Sequence, residues 1–131
     1  MKITQTLLDS LTEQAKASPR LRMNYDLRNS DQDLSQRMLN AIEPGSVIPI
    51  HRHRKSSETV VVLRGHIQEV FYDSPGKEVV ETIDLCPNGE TVAVDVPKGQ
   101  WHTLHSLESG TVIMESKDGA YEPMGAEDVM Y

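Results

Sequence analysis

The sequence predicts an all-β protein preceded by a single helix. From residue 36 onward, short runs rich in β-branched residues alternate with turns of Gly, Pro and Asn. This alternation is typical of an antiparallel sandwich or a small barrel. Before that point, Leu7, Leu8, Leu11 and Ala15 recur at helical spacing, which predicts an amphipathic helix lying on a larger body.

The elements follow in order along the chain. We expect the helix over residues 4–18, because Thr4 or Thr6 can cap its start and Pro19 ends the pattern. Residues 20–35 show no clean period and are interpreted as ordered loop or short turns. Strands or extended runs are expected at 37–45, 46–53, 58–65 and 91–99, with hairpins at 66–85 (turning at Ser74, Pro75 and Gly76) and 101–116. Residues 117–131 are expected to form a closing arm or a partly mobile tail.

Size and charge narrow the class of protein. A chain of 131 residues suits one domain, which we divide into a helix and arm (1–35), a β-barrel (36–117) and a C-terminal arm (118–131). The formal net charge of -7 argues against nucleic-acid partners and against docking on an anionic membrane. Because Cys86 is the single cysteine, the chain cannot form an intramolecular disulfide. Because the N-terminal residues also lack the apolar core of a signal peptide, we expect a cytoplasmic location.

Four side chains form a candidate metal site within the β-rich region. His51 and His53 are two residues apart, which on an extended strand puts both on one face. Glu58 begins the next run, and His102 follows the turn at residues 97–99. Imidazole and carboxylate ligands together suit Fe, Mn, Ni, Zn or Cu, and in a six-coordinate site they leave two positions open for water or substrate. The alternative is a solvated basic loop, "HRHRKSS", whose histidines bind nothing.

The neighbouring residues are interpreted as structural or surface groups. Arg52 alternates to the other face of the strand, while Arg54 and Lys55 belong to the loop before Glu58 and are expected at the rim or surface. His66 is interpreted as a surface or hydrogen-bonding residue. His105 is three residues after His102, so on a regular strand it points to the opposite face.

The spacing of these residues resembles the two motifs of the cupin superfamily. Gly45 is followed after five residues by His51-x-His53, after four more by Glu58, and after six more by Gly65. "PKGQWH", residues 97–102, resembles the core of the second motif, Pro-x-Gly-x-x-His. The resemblance implies a double-stranded β-helix, or jelly-roll, barrel in which His51, His53, Glu58 and His102 bind one divalent transition metal (Zn, Fe, Mn or Ni).

The second motif departs from the family pattern at two positions. Seven residues separate Gly89 from Pro97, where the pattern has five, and Ser106 stands where the pattern has asparagine. Neither position binds metal in that family. Residues 5–123 also resemble the WbuC family of bacterial cupin-fold metalloproteins, through "ASPRLRMNYDLR", "QRMLNAIEPGS", "VVLRG", "PKGQWHTL" and "ESKDGAYEP". This resemblance implies a setting in O-antigen or polysaccharide gene clusters.

Candidate ligand-binding residues lie outside the motifs. Guanidinium groups bind carboxylates and phosphates well, so an anion clamp at the barrel mouth is one interpretation, and a solvated surface is the other. Tyr121 either closes over the pocket or anchors the tail. The candidate substrate-binding residues are Arg20, Arg22, Asn24, Arg37 and Tyr121.

Three functions are compatible with these residues. A metal could polarise a sugar-derived or nucleotide-sugar-derived, anionic small molecule for isomerase, epimerase or lyase chemistry, or for oxygen-dependent chemistry if it is Fe(II). Tyr72 or Tyr121 would be the candidate base if either lines the pocket. The same metal could instead anchor a ligand in a binding or sensing module. A metal-free sugar epimerase of related fold is disfavoured, because the full ligand set is present. We also expect a homodimer.

Overall fold

The fold consists of two antiparallel β-sheets and an N-terminal helix. A computed structural model describes residues 1–73 and 78–130. The elements are α1 (Gln5–Ala17), β1 (Arg22–Asp26), β2 (Ser35–Ile42), β3 (Ile50–His51), β4 (Glu58–Arg64), β5 (Ile67–Tyr72), β6 (Val79–Leu85), β7 (Ala93–Val96), β8 (Trp101–Ser106), β9 (Val112–Asp118), a 3-10 turn (Ala126–Asp128) and β10 (Val129–Met130). Sheet A has the order β1-β2-β9-β4-β7 and sheet B the order β10-β3-β8-β5-β6. The predicted all-β jelly-roll with a short N-terminal helix is confirmed.

The main core lies between the two sheets. Alternate residues of β4, Val60 and Val62, point inward together with Ile113 of β9. They meet Ile67 and Leu104 of sheet B, and all five side chains are buried. Because side chains alternate along a strand, Glu58 shares the inward face with Val60, and Glu115 and Lys117 share it with Ile113.

A second core attaches the helix to the outer face of sheet A. Leu8, Leu11 and Ala15 of α1 pack on Leu39 and Val112, and all five are buried. The helix begins at the residue after Thr4, whose hydroxyl accepts a hydrogen bond from the Leu7 amide at 3.2 Å. The predicted helix therefore packs its apolar face on a larger body, as expected.

The segment predicted as loop, residues 20–35, contains a strand. β1 pairs with β2 along its full length, from Arg22 opposite Ile42 to Asp26 opposite Met38. Met23 and Tyr25 pack against the helix cluster, whereas Arg22, Asn24 and Asp26 are polar. The edge strand has so few apolar positions that its period of two is hard to recognise in the sequence.

One predicted hairpin is confirmed and the other is wrong. β5 and β6 pair from Ile67 opposite Leu85 onward, but the predicted turn at Ser74, Pro75 and Gly76 lies outside the described residues. β8 and β9 do not pair with each other, because β8 belongs to sheet B and β9 to sheet A. The turn between them crosses from one sheet to the other, which local sequence signals cannot distinguish from a hairpin turn.

The C-terminal arm is ordered against sheet B. β10 extends this sheet, with Val129 opposite His51 and Met130 opposite Ile50. The arm thus lies beside the strand that carries the first candidate metal ligand. Among the residues described, no helix is long and apolar enough to cross a membrane.

Candidate metal centre

Three histidines converge at one end of the barrel interior. His51 of β3 lies directly opposite His102 of β8 in sheet B, and His53 follows two residues after His51. The ring centroids are 4.4 Å apart for His51 and His102, 5.0 Å for His51 and His53, and 5.7 Å for His53 and His102. One ring nitrogen from each lies within 4.8 Å of the others, so the three can hold a metal ion.

Hydrogen bonds orient two of these rings. Nδ1 of His51 lies 2.8 Å from the carbonyl oxygen of Pro49, and because a carbonyl only accepts, this nitrogen carries the hydrogen. Nδ1 of His102 lies 2.5 Å from Oε1 of Glu69, while Nε2 of His102 is buried without a hydrogen-bond partner among the described residues. Burial lowers the pKa of both histidines to about 4, so both rings are neutral at pH 7.

Glu58 adds a carboxylate to the three imidazoles. Its side chain is buried, and its Oε2 lies 3.1 Å from Nε2 of His53. Burial alone would raise the pKa of Glu58, but the contact with His53 and the positive charge of Lys117 outweigh it. The pKa of Glu58 is therefore lowered to about 2, and the carboxylate is ionised at pH 7.

This donor set fits a divalent metal ion. Nε2 of His51 and Nε2 of His102 have free lone pairs, and together with the ionised Glu58 carboxylate they are hydrogen-bond acceptors. Acceptors that converge in a buried place without a proton or cation between them are electrostatically unfavourable. A divalent cation between the three ring nitrogens would satisfy them, with Glu58 adjacent at His53, and mixed imidazole and carboxylate ligands suit Zn, Fe, Mn or Ni.

Further charged residues surround this centre on the inward faces of both sheets. Glu69 in β5 is fully buried, and burial followed by the charge of Glu58 raises its pKa to about 9. In β9, burial raises the pKa of Glu115 to about 8, and the charge of Glu58 adds to this rise. Lys117 lies directly opposite Glu58 in the pairing of β9 with β4. Sequence reasoning missed Glu69, and the alternation along β9 alone does not show whether Glu115 and Lys117 face the barrel or the solvent.

A cavity of about 680 Å³ opens beside His53. It lies between the histidine loop, which we define as residues 52–57, and the C-terminal arm, and it is also lined by Gln36, His53 and Lys117. The two segments are joined by ion pairs. These pairs join Arg52 to Asp128 (3.0 Å), Arg54 to Asp128 (2.7 Å) and to Glu127 (2.8 Å), and Lys55 to Glu122 (3.3 Å). The basic residues that flank the histidines thus hold the arm over the cavity.

The structure places the candidate substrate-binding residues at different locations. Tyr121 lines the cavity, and its ring lies 5.7 Å from the guanidinium carbon of Arg28. Arg37 lines a small adjoining cavity with Glu115 and Lys117, and its Nη2 contacts Asp33 at 3.3 Å.

The remaining three candidates lie on β1 (Arg22, Asn24) or just before it (Arg20) and do not line the large cavity. Arg20 and Asn24 are exposed. Arg22 donates to the carbonyl oxygen of Val47 at 2.9 Å and to Ser46 Oγ at 3.3 Å, so its guanidinium holds the loop between β2 and β3.

The other histidines and the single tryptophan lie around the centre. Nε2 of His66 lies 2.9 Å from Asp84, and His105 is exposed. Trp101 is buried at the start of β8, next to His102, and the guanidinium of Arg52 lies 4.7 Å from its ring centroid. Arg52, which lies between His51 and His53 in the sequence, therefore contacts both Trp101 and the C-terminal arm.

Comparison with solved structures shows the cupin fold. KdgF from Halomonas sp. is 14% identical over 79% of this chain and 84% of its own, with a TM-score of 0.63. The capsular polysaccharide assembling protein CapF from Staphylococcus aureus is 20% identical over 76% of this chain, with a TM-score of 0.65, and the match spans only 27% of CapF. An oxalate oxidase is 14% identical over 79% of this chain and 53% of its own, with a TM-score of 0.63.

Comparison of sequences gives a family without a described activity. No curated protein matches the chain. Residues 3–85 match the family described as Domain of unknown function (DUF6016). This segment includes α1, strands β1 to β6 and three of the four candidate ligands. The chain therefore belongs to the DUF6016 family.

Proposed function

We propose that this protein is a metal-dependent cupin that acts on a sugar-derived or nucleotide-sugar-derived small molecule in polysaccharide biosynthesis of the O-antigen type. The observation that carries the proposal is the convergence of three imidazoles, with Glu58 in contact with His53, next to a cavity of about 680 Å³ that His53 lines. A closed structural site would have no need of such a cavity.

The proposed chemistry is isomerisation, epimerisation or lyase elimination. A bound divalent ion would polarise a hydroxyl or carbonyl oxygen of the substrate. His51, His53, Glu58 and His102 would hold it, and Glu69 would orient His102 through Nδ1. Tyr121, which lines the cavity, is our candidate for the group that moves a proton, whereas Tyr72 is not among the lining residues.

Two relatives support the setting and the type of ligand. CapF is described as a capsular polysaccharide assembling protein, and an oxalate oxidase is described in complex with the substrate analogue glycolate. The resemblance of residues 5–123 to the WbuC family supports the same polysaccharide setting. We also propose a single cupin domain over residues 1–131 and a cytoplasmic location. We further propose a homodimer, which sedimentation would test.

Metal analysis of the purified protein tests the metal. We expect about one divalent ion per chain in the original protein, and loss of this ion in His51→Ala and His102→Ala. His105→Ala is the matched control, because His105 lies on the same strand as His102 but is exposed. Absence of stoichiometric metal, or equal metal content in all three variants, would contradict the proposal.

A turnover screen tests the reaction. Nucleotide-sugars are incubated with protein loaded separately with Fe, Mn, Ni or Zn, and products are resolved by mass spectrometry and NMR. Product formation that is lost in His51→Ala supports an enzyme. Saturable binding of a nucleotide-sugar without any product would instead assign the alternative, a non-catalytic binding or sensing module.

A further inference from the structure

Lys117 occupies a central position on the inward face of sheet A. It lies directly opposite Glu58 of β4 on one side and Gln36 of β2 on the other. Residues directly opposite in an antiparallel pair share a face, with Cβ atoms about 4.5–5.5 Å apart. The Lys117 side chain is partly buried and lines the cavity together with Gln36 and His53.

The basic residues that line this cavity form ion pairs, except Lys117. Arg52, Arg54 and Lys55 are all paired with acidic residues of the C-terminal arm. Asp118, which also lines the cavity, accepts a hydrogen bond from the Ser57 amide at 3.0 Å. Lys117 belongs to none of the ion pairs within residues 1–73 and 78–130.

An ammonium group of this kind favours an anion from outside the chain. A partly desolvated cation is stabilised by a counterion, and inside a cavity the interaction is stronger than at an exposed surface. The candidate metal ligands are next to Lys117, since Glu58 is its neighbour across the strands. A metal at those ligands and the ammonium would present two positive centres to one small molecule.

We propose that Lys117 is the anion-binding residue of this cavity and that its ligand is a small hydroxy acid carrying a second carboxylate. The hydroxyl and one carboxylate bind the metal, and the second carboxylate pairs with Lys117. This inference rests on the proposed metal function and specifies its sugar-derived ligand as a dicarboxylic hydroxy acid, in place of a nucleotide-sugar. A single ammonium beside Glu58 and Glu115 matches a singly charged carboxylate better than a phosphate, which usually binds several donors or an arginine fork.

Two probe acids separate the metal from Lys117. Glycolate has one carboxylate and a hydroxyl, so it tests metal binding alone. Tartronate has the same groups and a second carboxylate, so the ratio of the two affinities reports the contribution of Lys117. Both are titrated into the full chain loaded with Co²⁺, and the change in visible absorption of the metal is followed.

In the original protein we expect tartronate to bind about tenfold more tightly than glycolate, which corresponds to about 1.4 kcal/mol. In Lys117→Gln we expect this ratio to fall to about one while the affinity for glycolate is kept. Lys117→Arg should retain most of the ratio. Lys55→Gln is the matched control, because Lys55 also lines the cavity but is paired with Glu122, and it should leave the ratio unchanged.

The possible failures are distinguishable. If Co²⁺ binds and glycolate changes its spectrum, but the ratio is the same in the original protein and in Lys117→Gln, the assignment of Lys117 is wrong and the metal function stands. A ratio of one in the original protein leads to the same conclusion. If Co²⁺ binds but neither acid changes its spectrum, the hydroxy-acid ligand is wrong and the metal function stands. If Co²⁺ does not bind, the proposed metal function fails and the inference fails with it.

Discussion

Nδ1 of His102 lies 2.5 Å from Oε1 of Glu69, and both side chains are buried between the sheets. A carboxyl oxygen that accepts from Nδ1 of a metal-binding imidazole fixes its tautomer and ring orientation. Here it leaves Nε2 of His102, which has no partner among the described residues, directed toward the other two histidines. Glu69 is therefore as much part of the centre as the ligands themselves.

Removing the Glu69 carboxyl should weaken metal binding without removing a ligand. We expect Glu69→Leu to reduce metal affinity about 10- to 100-fold, as loss of such hydrogen-bonding partners usually does. Glu69→Gln should retain most of the affinity, because the amide oxygen still accepts from Nδ1 of His102. Competition with a chromophoric chelator measures both, and equal affinity in Glu69→Leu and the original protein would refute this role.

The metal-free protein should lose stability between pH 6.5 and pH 8. Burial raises the pKa of Glu69 to about 9 and that of Glu115 to about 8 from the ordinary value of 4.5. Over this range the folded chain binds more protons than the unfolded chain, so the stability these groups contribute is complete below pH 4.5 and lost as pH rises. Each group can change the free energy of unfolding by at most about 1.4 kcal/mol per pH unit.

His51 and His102 change the free energy of unfolding in the opposite direction at lower pH. His51 and His102 have a pKa of about 4, below the ordinary 6.5, so their contribution is complete above pH 6.5 and lost as pH falls toward 4. They offset the carboxyl groups in that interval, which leaves the decline visible above pH 6.5. Urea unfolding of chelator-treated protein at pH 6.5 and pH 8 measures it. Glu115→Gln should flatten the slope, and a free energy of unfolding that rises over this interval would contradict the assignment.

Weakening the ion pairs of the C-terminal arm should release the arm before the barrel unfolds. Asp128 accepts from Arg52 at 3.0 Å and pairs with Arg54 at 2.7 Å. Asp128→Asn removes this charge, and we expect faster amide hydrogen exchange across residues 120–130 with a loss of global stability of only about 1 kcal/mol, because such partly exposed pairs contribute little.

Glu122→Gln is the matched control for the arm, since its partner Lys55 is largely exposed. It should change exchange in the arm much less than Asp128→Asn does. The pKa of Asp128 is lowered, since hydrogen bonds from Arg54 and Arg52 outweigh its burial. The arm should accordingly loosen in acid, as pH falls through this lowered pKa. Equal exchange at pH 7 in Asp128→Asn and the original protein would show that these ion pairs do not hold the arm.

Two glycines with similar backbone angles should differ in their tolerance of alanine. Gly65 and Gly110 have φ of +90° and +85°, so alanine at either would strain the backbone by about 1 kcal/mol. At Gly65 an added Cβ would also lie 2.6 Å from Cα of Thr111, whereas nothing lies within 4 Å at Gly110. We expect Gly65→Ala to lower the free energy of unfolding by more than about 3 kcal/mol and Gly110→Ala by about 1 kcal/mol. Equal losses in thermal or urea unfolding would contradict the crowding at Gly65.

The sequence allowed prediction of the strand-rich fold and of a histidine cluster because both depend on short spacings. His51 and His53 share a face through the period of two along a strand. The positions of Glu115 and Lys117 depend on which face of β9 turns inward, and a shift of one residue in register would reverse them. Their alternation was visible, but its direction is decided by tertiary packing against β2 and β4.

The C-terminal strand and the connection between β8 and β9 could not be predicted for the same reason, because both are defined by tertiary contacts. β10 is two residues long and exists by pairing with Ile50 and His51, so no local pattern marks it. β1 was hidden because only Met23 and Tyr25 supply its apolar face. The turn between β8 and β9 has ordinary hairpin composition, and only the partners of each strand show that it joins two sheets.

The contact between Arg52 and Trp101 gives the protein an intrinsic fluorescent reporter. Trp101 is the single tryptophan, it is next to His102, and a guanidinium that also binds Asp128 lies 4.7 Å from its ring. Indole emission depends on nearby charge and solvent. The fluorescence of one residue therefore reports both on the strand that carries His102 and on the seating of the arm, without any label.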